Sequence, residues 1–202
     1  MKKLKLSKDI TIDQFNQGYW YAAEIKSFAR ELGIRNFSSL RKDELEYLIK
    51  KYIITGRIYD SNRKNIIKSD IKDIERGLNF SLPVKHYTSN KITKAFIKKN
   101  ALKLNPNLKI KSGAWYRLNR WRDDQLTKNK MICYGDLIHE FIRLNDPGVK
   151  FERIPVGRYI NFIADYMANE KKATRPQAIR EWKNLKSQNV EKEYSAWKNH
   201  NQ

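Results

Sequence analysis

Leu32-Gly33-Ile34-Arg35-Asn36-Phe37-Ser38-Ser39-Leu40-Arg41-Lys42-Asp43-Glu44-Leu45 joins two patterns of the same period. On its N-terminal side Ile25, Phe28, Ala29 and Leu32 fall at i, i+3, i+4 and i+7. On its C-terminal side Leu45, Leu48, Ile49 and Tyr52 repeat that spacing. Each pattern predicts a helix with one apolar stripe, so Tyr21 to Tyr52 reads as helix, extended connection, helix. Gly33 suits the left-handed position that closes the first helix. Ser38 or Ser39 is expected to cap the second, with Asp43 and Glu44 near its positive end.

Working outward, residues 1–18 carry Lys2, Lys3, Lys5 and Lys8 and read as a basic arm. Residues 19–56 form the helical module, 57–87 a basic linker containing Arg57, Arg63, Lys64 and Lys68, and 88–202 a second, helical domain. In that domain Thr88 or Ser89 is expected to cap a helix ending at Leu104, before Asn105-Pro106. Ser112 caps another through Leu126, and Tyr134 to Leu144 forms a third, stopped by Asp146-Pro147-Gly148. Pro155 begins a fourth, with Ile160, Ile163, Ala164 and Met167 on one face. Thr174 caps a fifth with Pro176 in its first turn, presenting Ala178, Ile179, Trp182 and Leu185. A last short helix holds Tyr194 and Trp197. Ile138, Glu140, Phe141 and Leu144 echo Ile179, Glu181, Trp182 and Leu185 at an offset of 41. Strand signals are confined to Lys109–Ile110 and Val149–Ile154. The expected fold is mainly α, with little or no strand.

Charge narrows the partner. The 202 residues hold 42 basic and 22 acidic side chains, a net +20. Between Glu75 and Asp123 there is no acid, while twelve Lys and Arg occur there. A solvated surface helix mixes signs to limit self-repulsion. An uninterrupted basic run is what a phosphate-tracking surface needs, and nucleic acid is the commonest polyanion. Lys91, Lys94 and Lys98 share one face of their helix; Lys111, Arg117 and Arg120 continue the run. Interleaved aromatics, Trp115 and Trp121 among them, serve a core or stack on unpaired bases. In the N-terminal module the amides at the start of the second helix offer an anion site, with Arg35, Ser38, Ser39, Arg41 and Lys42 around it.

The run LGIRNFSSLRKDEL resembles the helix–extended–helix module of the SAP type, and especially the N-terminal module of Rho-type transcription terminators. That resemblance implies a small nucleic-acid-binding unit that meets DNA near Ser38 to Lys42. Farther on, FERIPV at 151–156, NEKKAT at 169–174 and QAIREW at 177–182 look like an uncharacterised helical domain found behind bacterial SAP modules. Residues 109–146 fit that pattern poorly and read as an insertion or divergent repeat.

Other classes find little support. The phosphate-loop, dinucleotide, zinc-protease and hydrolase-elbow motifs do not occur. Asp123-Asp124 and Asp136/Glu140 are the paired carboxylates that a Mg²⁺-dependent nuclease would use, yet the sequence around them reads helical. Cys133 is the single cysteine and only three His are present, so no disulfide framework or zinc site is expected. No cofactor, metal or membrane partner is expected, and a protein partner stays open. The start lacks the apolar stretch of a signal peptide, which points to the cytoplasm, with the nucleoid as a natural place. The expectation is a non-enzymatic binder of duplex DNA with weak sequence preference. The alternatives are an RNA or single-strand binder and a protein-interaction module.

Overall fold

A computed structural model of the chain describes residues 4–61, 66 and 68–201. Lys2, Lys3, Arg63 and Lys64 of the arm and linker lie outside the described residues. The fold is mainly α: nine helices occur among the described residues, and the one β-bridge found there pairs Pro83 with Cys133.

The chain forms two compact units, Met1–Asn62 with Glu152–Gln202, and Arg63–Phe151. This division follows different lines from the expected one. Residues 152–202 belong with the N-terminal module, and residues 68–87 of the supposed linker belong to the second unit, with Leu82 and Val84 in its core.

In the first unit, α1 (Ile12–Gln17) lies within the stretch that reads in the sequence as a basic arm. Thr11 and Gln14 exchange capping hydrogen bonds of 3.1 and 3.2 Å, and Phe15 is fully buried. Phe15 stacks on Trp20, whose indole N–H donates to the Phe15 carbonyl at 2.8 Å. A Cβ on Gly18 would lie 2.0 Å from the Trp20 ring, so this approach requires glycine. α2 (Ala22–Glu31) buries Ile25, Phe28 and Ala29, and α3 (Lys42–Thr55) buries Leu45, Leu48 and Ile49. Between them Gly33, at φ +80°, closes α2 as expected: Gly33 N–H donates to Arg30 O and Ile34 N–H to Ala29 O, both at 3.0 Å. The connection is a succession of turns rather than an extended segment.

α7 (Arg158–Asn169), α8 (Arg175–Ser187) and α9 (Tyr194–Asn201) complete this unit. α7 starts three residues after Pro155, because Ile154–Gly157 forms a turn whose Gly157 N–H donates to Ile154 O at 2.8 Å. Its buried face is also rotated from the expected one. Ile163 is buried, but Ile160 is 71% and Met167 41% exposed. Phe162 takes the core position, with Tyr159 and Tyr166 beside it, because an aromatic cage of Trp182, Tyr194 and Trp197 surrounds that side. α8 has the expected Thr174 cap, reinforced by Gln177. The N- and C-terminal segments meet through Tyr19, edge-on to Trp182 at 5.2 Å, and through Arg158. The Arg158 guanidinium donates to Gly18 O at 2.8 Å and lies 3.5 Å from the buried Glu46 carboxylate.

Lys192 is 2% exposed, and its ammonium donates to the carbonyls of Gln188 and Val190 at 2.5 and 2.7 Å. Burial, with the nearby Arg158 charge, lowers its pKa from 10.5 to about 8. The folded state therefore disfavours the charged form, and the unfolded chain binds more protons between those values. Stability from this group is expected to rise with pH from about 8 towards 10, and Lys192→Met should flatten that rise in urea titrations. Tyr194, held up to about 12 by burial and its Glu170 partner, acts only above this window.

The second unit is built on α4 (Lys91–Leu104), α5 (Ala114–Thr127) and α6 (Tyr134–Asn145), with α4 and α5 both packed on α6. α4 begins after Asn90, whose side chain accepts from Thr93 N–H at 2.8 Å, rather than at Thr88 or Ser89. α5 begins after Gly113, at φ +83°, rather than at a Ser112 cap. α6 is capped by Asp136, which accepts from Cys133 N–H at 2.8 Å. Residues 82–84 pair with 132–134 through Val84 N–H to Ile132 O and Tyr134 N–H to Leu82 O, at 2.8 and 3.0 Å. Leu82 and Val84 are thereby buried, which is why 68–87 is no linker. Asp73, fully buried, accepts from Lys85 N–H, His86 N–H and the Tyr134 hydroxyl, fixing this segment against α6.

Candidate nucleic-acid interface

In the first unit the five residues expected around the start of α3 have different surroundings. The Arg35 side chain is 81% exposed, 3.9 Å from Asp60, whose side chain is 60% exposed. Ser38 and Ser39 are exposed. Neither caps α3: Ser39 Oγ donates to Asn36 O at 2.9 Å, and the Ser38 carbonyl accepts from Lys26 Nζ at 3.0 Å. The cap position is Arg41, half-buried, whose N–H donates to the Glu44 carboxylate at 2.7 Å. A side-chain anion thus already sits where a phosphate was expected to meet the helix end. Lys42 is turned inward, 3.4 Å from Glu46 and 5.3 Å from the centre of the Tyr19 ring. Charge reversal at Lys42 would set a second carboxylate beside Glu46, so it acts on folding as well as on any ligand.

In the second unit the acid-free window divides into a packed part and an open part. α5 supplies most of the packed part. Arg117 lies over Phe151 with its guanidinium carbon 4.0 Å from the ring centre, and Arg122 lies over Tyr87 at the same distance. Arg120 donates to the Tyr116 hydroxyl at 3.0 Å. Lys111 is a structural tether: its ammonium donates to the carbonyls of Asp146 and Val149, and its N–H to Asn145 Oδ1 at 2.7 Å. These bonds satisfy polar groups at and beyond the C-terminal end of α6.

The open part is α4. Thr93, Ile97 and Ala101 are fully buried and fix the inward face. Lys91, Lys98, Lys99 and Lys103 are exposed, with no acid within 4 Å among the described residues. Lys94 sits at the margin, over Trp115 at 5.9 Å. The exposed face extends to Lys99 and Lys103, beyond the face expected through Lys91, Lys94 and Lys98. The Thr93–Ile97–Ala101 spacing was the available signal, since it puts the opposite face on Ala95.

Most aromatic side chains of this window are packed within the protein, while Phe80 and Tyr116 are 44% and 45% exposed. Trp115 packs on Phe141 with ring centres 4.2 Å apart, Trp121 lies partly buried against the core, and Tyr87 stacks on Tyr134. Burial raises the Tyr87 hydroxyl pKa above its ordinary value.

The carboxylates considered for metal chemistry are committed elsewhere. Asp123 pairs with Arg122 at 2.5 Å, Asp136 caps α6, and Glu140 holds Arg143 at 2.6 Å, a bond that raises the arginine's pKa. Among the described residues no group of three or more His, Cys, Asp or Glu is arranged to hold a metal ion. No helix of the described residues is long and apolar enough to cross a membrane. Comparison of the chain with family models, curated proteins and solved structures returned no match.

Proposed function

We propose that this protein binds duplex DNA without catalysis and with weak sequence preference. The carrying observation is α4: an exposed face with four lysines that have no acid within 4 Å among the described residues, on a helix of sequence KITKAFIKKNALKL, which contains no acid. Like-charged neighbours repel unless a polyanion lies against them, and phosphate contacts position a protein without reading bases. A single-strand or RNA partner draws less support, because base stacking needs open aromatic faces and, of the described aromatics of the window, Phe80 and Tyr116 alone are exposed. Here Tyr87 carries Arg122, Trp115 carries Lys94 and Phe151 carries Arg117. A SAP-type role for residues 19–56 is part of the proposal, resting on two helices joined by a tight glycine-closed connection. Within that module Arg35 and the Ser38–Ser39 turn, rather than Lys42, are the surface left for a phosphate.

Competition at fixed salt tests the partner. A labelled duplex should be displaced by unlabelled duplex at about tenfold lower concentration than by single-stranded DNA or RNA of equal charge. Equal or better competition by RNA would transfer the reading to the RNA alternative.

A further inference from the structure

We propose that α4 lies in the major groove of that duplex, with Ala95 towards the base edges, Ile92 to one side of it among the lysines, and lysines towards both phosphate walls. This rests on the duplex-DNA reading above and names the element that does the docking. At 3.6 residues per turn, Lys91 and Lys98 lie roughly 40–60° to one side of Ala95, and Lys99 and Lys103 roughly 40–80° to the other. Two rows of ammonium groups thus flank Ala95 and the half-buried Leu102, with Ile92 falling within the Lys99–Lys103 row. This arrangement matches a groove with bases on its floor and a strand of phosphates on either side. A helix with its side chains is about 10–12 Å across, and the groove is about 12 Å wide.

Ile92 is 63% exposed among these lysines. Apolar contact with a thymine methyl uses such a side chain, and the short Ala95 lets the helix axis come close. The other described helices do not offer this pattern. Each carries an acid except α9, whose only lysine is Lys198.

The test combines charge-matched variants with a base analogue, on the full chain and a 20-base-pair A·T-rich duplex. Lys98→Gln with Lys99→Gln should make the slope of log K against log salt shallower by about 2. Lys171→Gln with Lys183→Gln, the same charge change on exposed lysines of the first unit, should leave the slope nearly unchanged. Replacing thymine by uracil should weaken the parent about fourfold per contacted methyl, and Ile92→Ser should erase that difference without altering the slope. Equal slope changes for the two lysine pairs would overturn the groove assignment while leaving DNA binding intact, as would indifference of the parent to uracil. A parent slope near zero would overturn both this inference and the reading beneath it.

Discussion

Trp182→Ala is expected to destabilise the protein by about 3–5 kcal/mol, the usual cost of emptying a large aromatic site. Trp182 is 4% exposed and touches Tyr19, Tyr159 and Phe162, with ring centres 5.2–5.7 Å away. Smaller neighbours cannot fill that volume, because Phe162 is itself fixed by Tyr194 and Trp197. The effect should reach well beyond α8. Tyr19 belongs to the segment that joins α1 to α2, so losing its partner loosens the seam between the N- and C-terminal parts of the first unit. Hydrogen exchange should show amides of α1–α3 losing protection together with those of α7–α9, while α4–α6 keep theirs. Loss confined to α7–α9 would contradict the grouping of residues 1–62 with 152–202.

Asp73→Ala should have a comparable effect on the second unit, about 3–5 kcal/mol. The carboxylate is fully buried and receives Lys85 N–H at 3.2 Å, His86 N–H at 2.8 Å and the Tyr134 hydroxyl at 3.3 Å. Alanine leaves three donors without their acceptor, and Arg76, 3.9 Å from the carboxylate, without its counter-charge. The same bonds hold 73–86 against α6, so the Leu82–Val84 pairing with 132–134 should weaken too. Burial and the adjacent Asp73 charge push the Tyr134 phenol far above its ordinary pKa, and that elevation should shrink in the variant. A loss below about 1 kcal/mol in denaturant titration would show that Asp73 is not the organiser of this segment.

Much of the helix pattern was legible because it rests on local rules. Thr174 and Pro176 announce α8, and Gly33 announces the end of α2, each through chemistry within a few residues. The start of α3 was misread for a local reason as well. Glu44 reaches back to the Arg41 N–H, so the helix begins at Lys42 and the serines of 38–39 are left in the turn. The face of α7 was misread for a non-local reason. Ile160 and Phe162 both fit helical spacing, and only the aromatic cage of α8 and α9 decides which points inward. The grouping of units was out of reach for the same cause. Arg158 and Gly18 are 140 positions apart, and no periodicity reports a contact of that range.

The candidate site divides likewise. That residues 76–122 carry an uninterrupted basic run could be read from charge alone. Which lysines are open is only partly legible: Glu46 at i+4 marks Lys42 as paired, but nothing near Lys111 shows that its donors go to the carbonyls of Asp146 and Val149. Lys98 and Lys99 are exposed and have no acid within 4 Å among the described residues.

The central claim is that a phosphate backbone answers the charge of this chain. Its most direct test is the affinity of the intact protein for a duplex across a salt series. With about five to eight phosphates engaged, log K should fall against log salt with a slope of roughly −4 to −7. A slope near zero, with affinity surviving about 0.5 M salt, would contradict the claim and leave a protein-interaction module in its place.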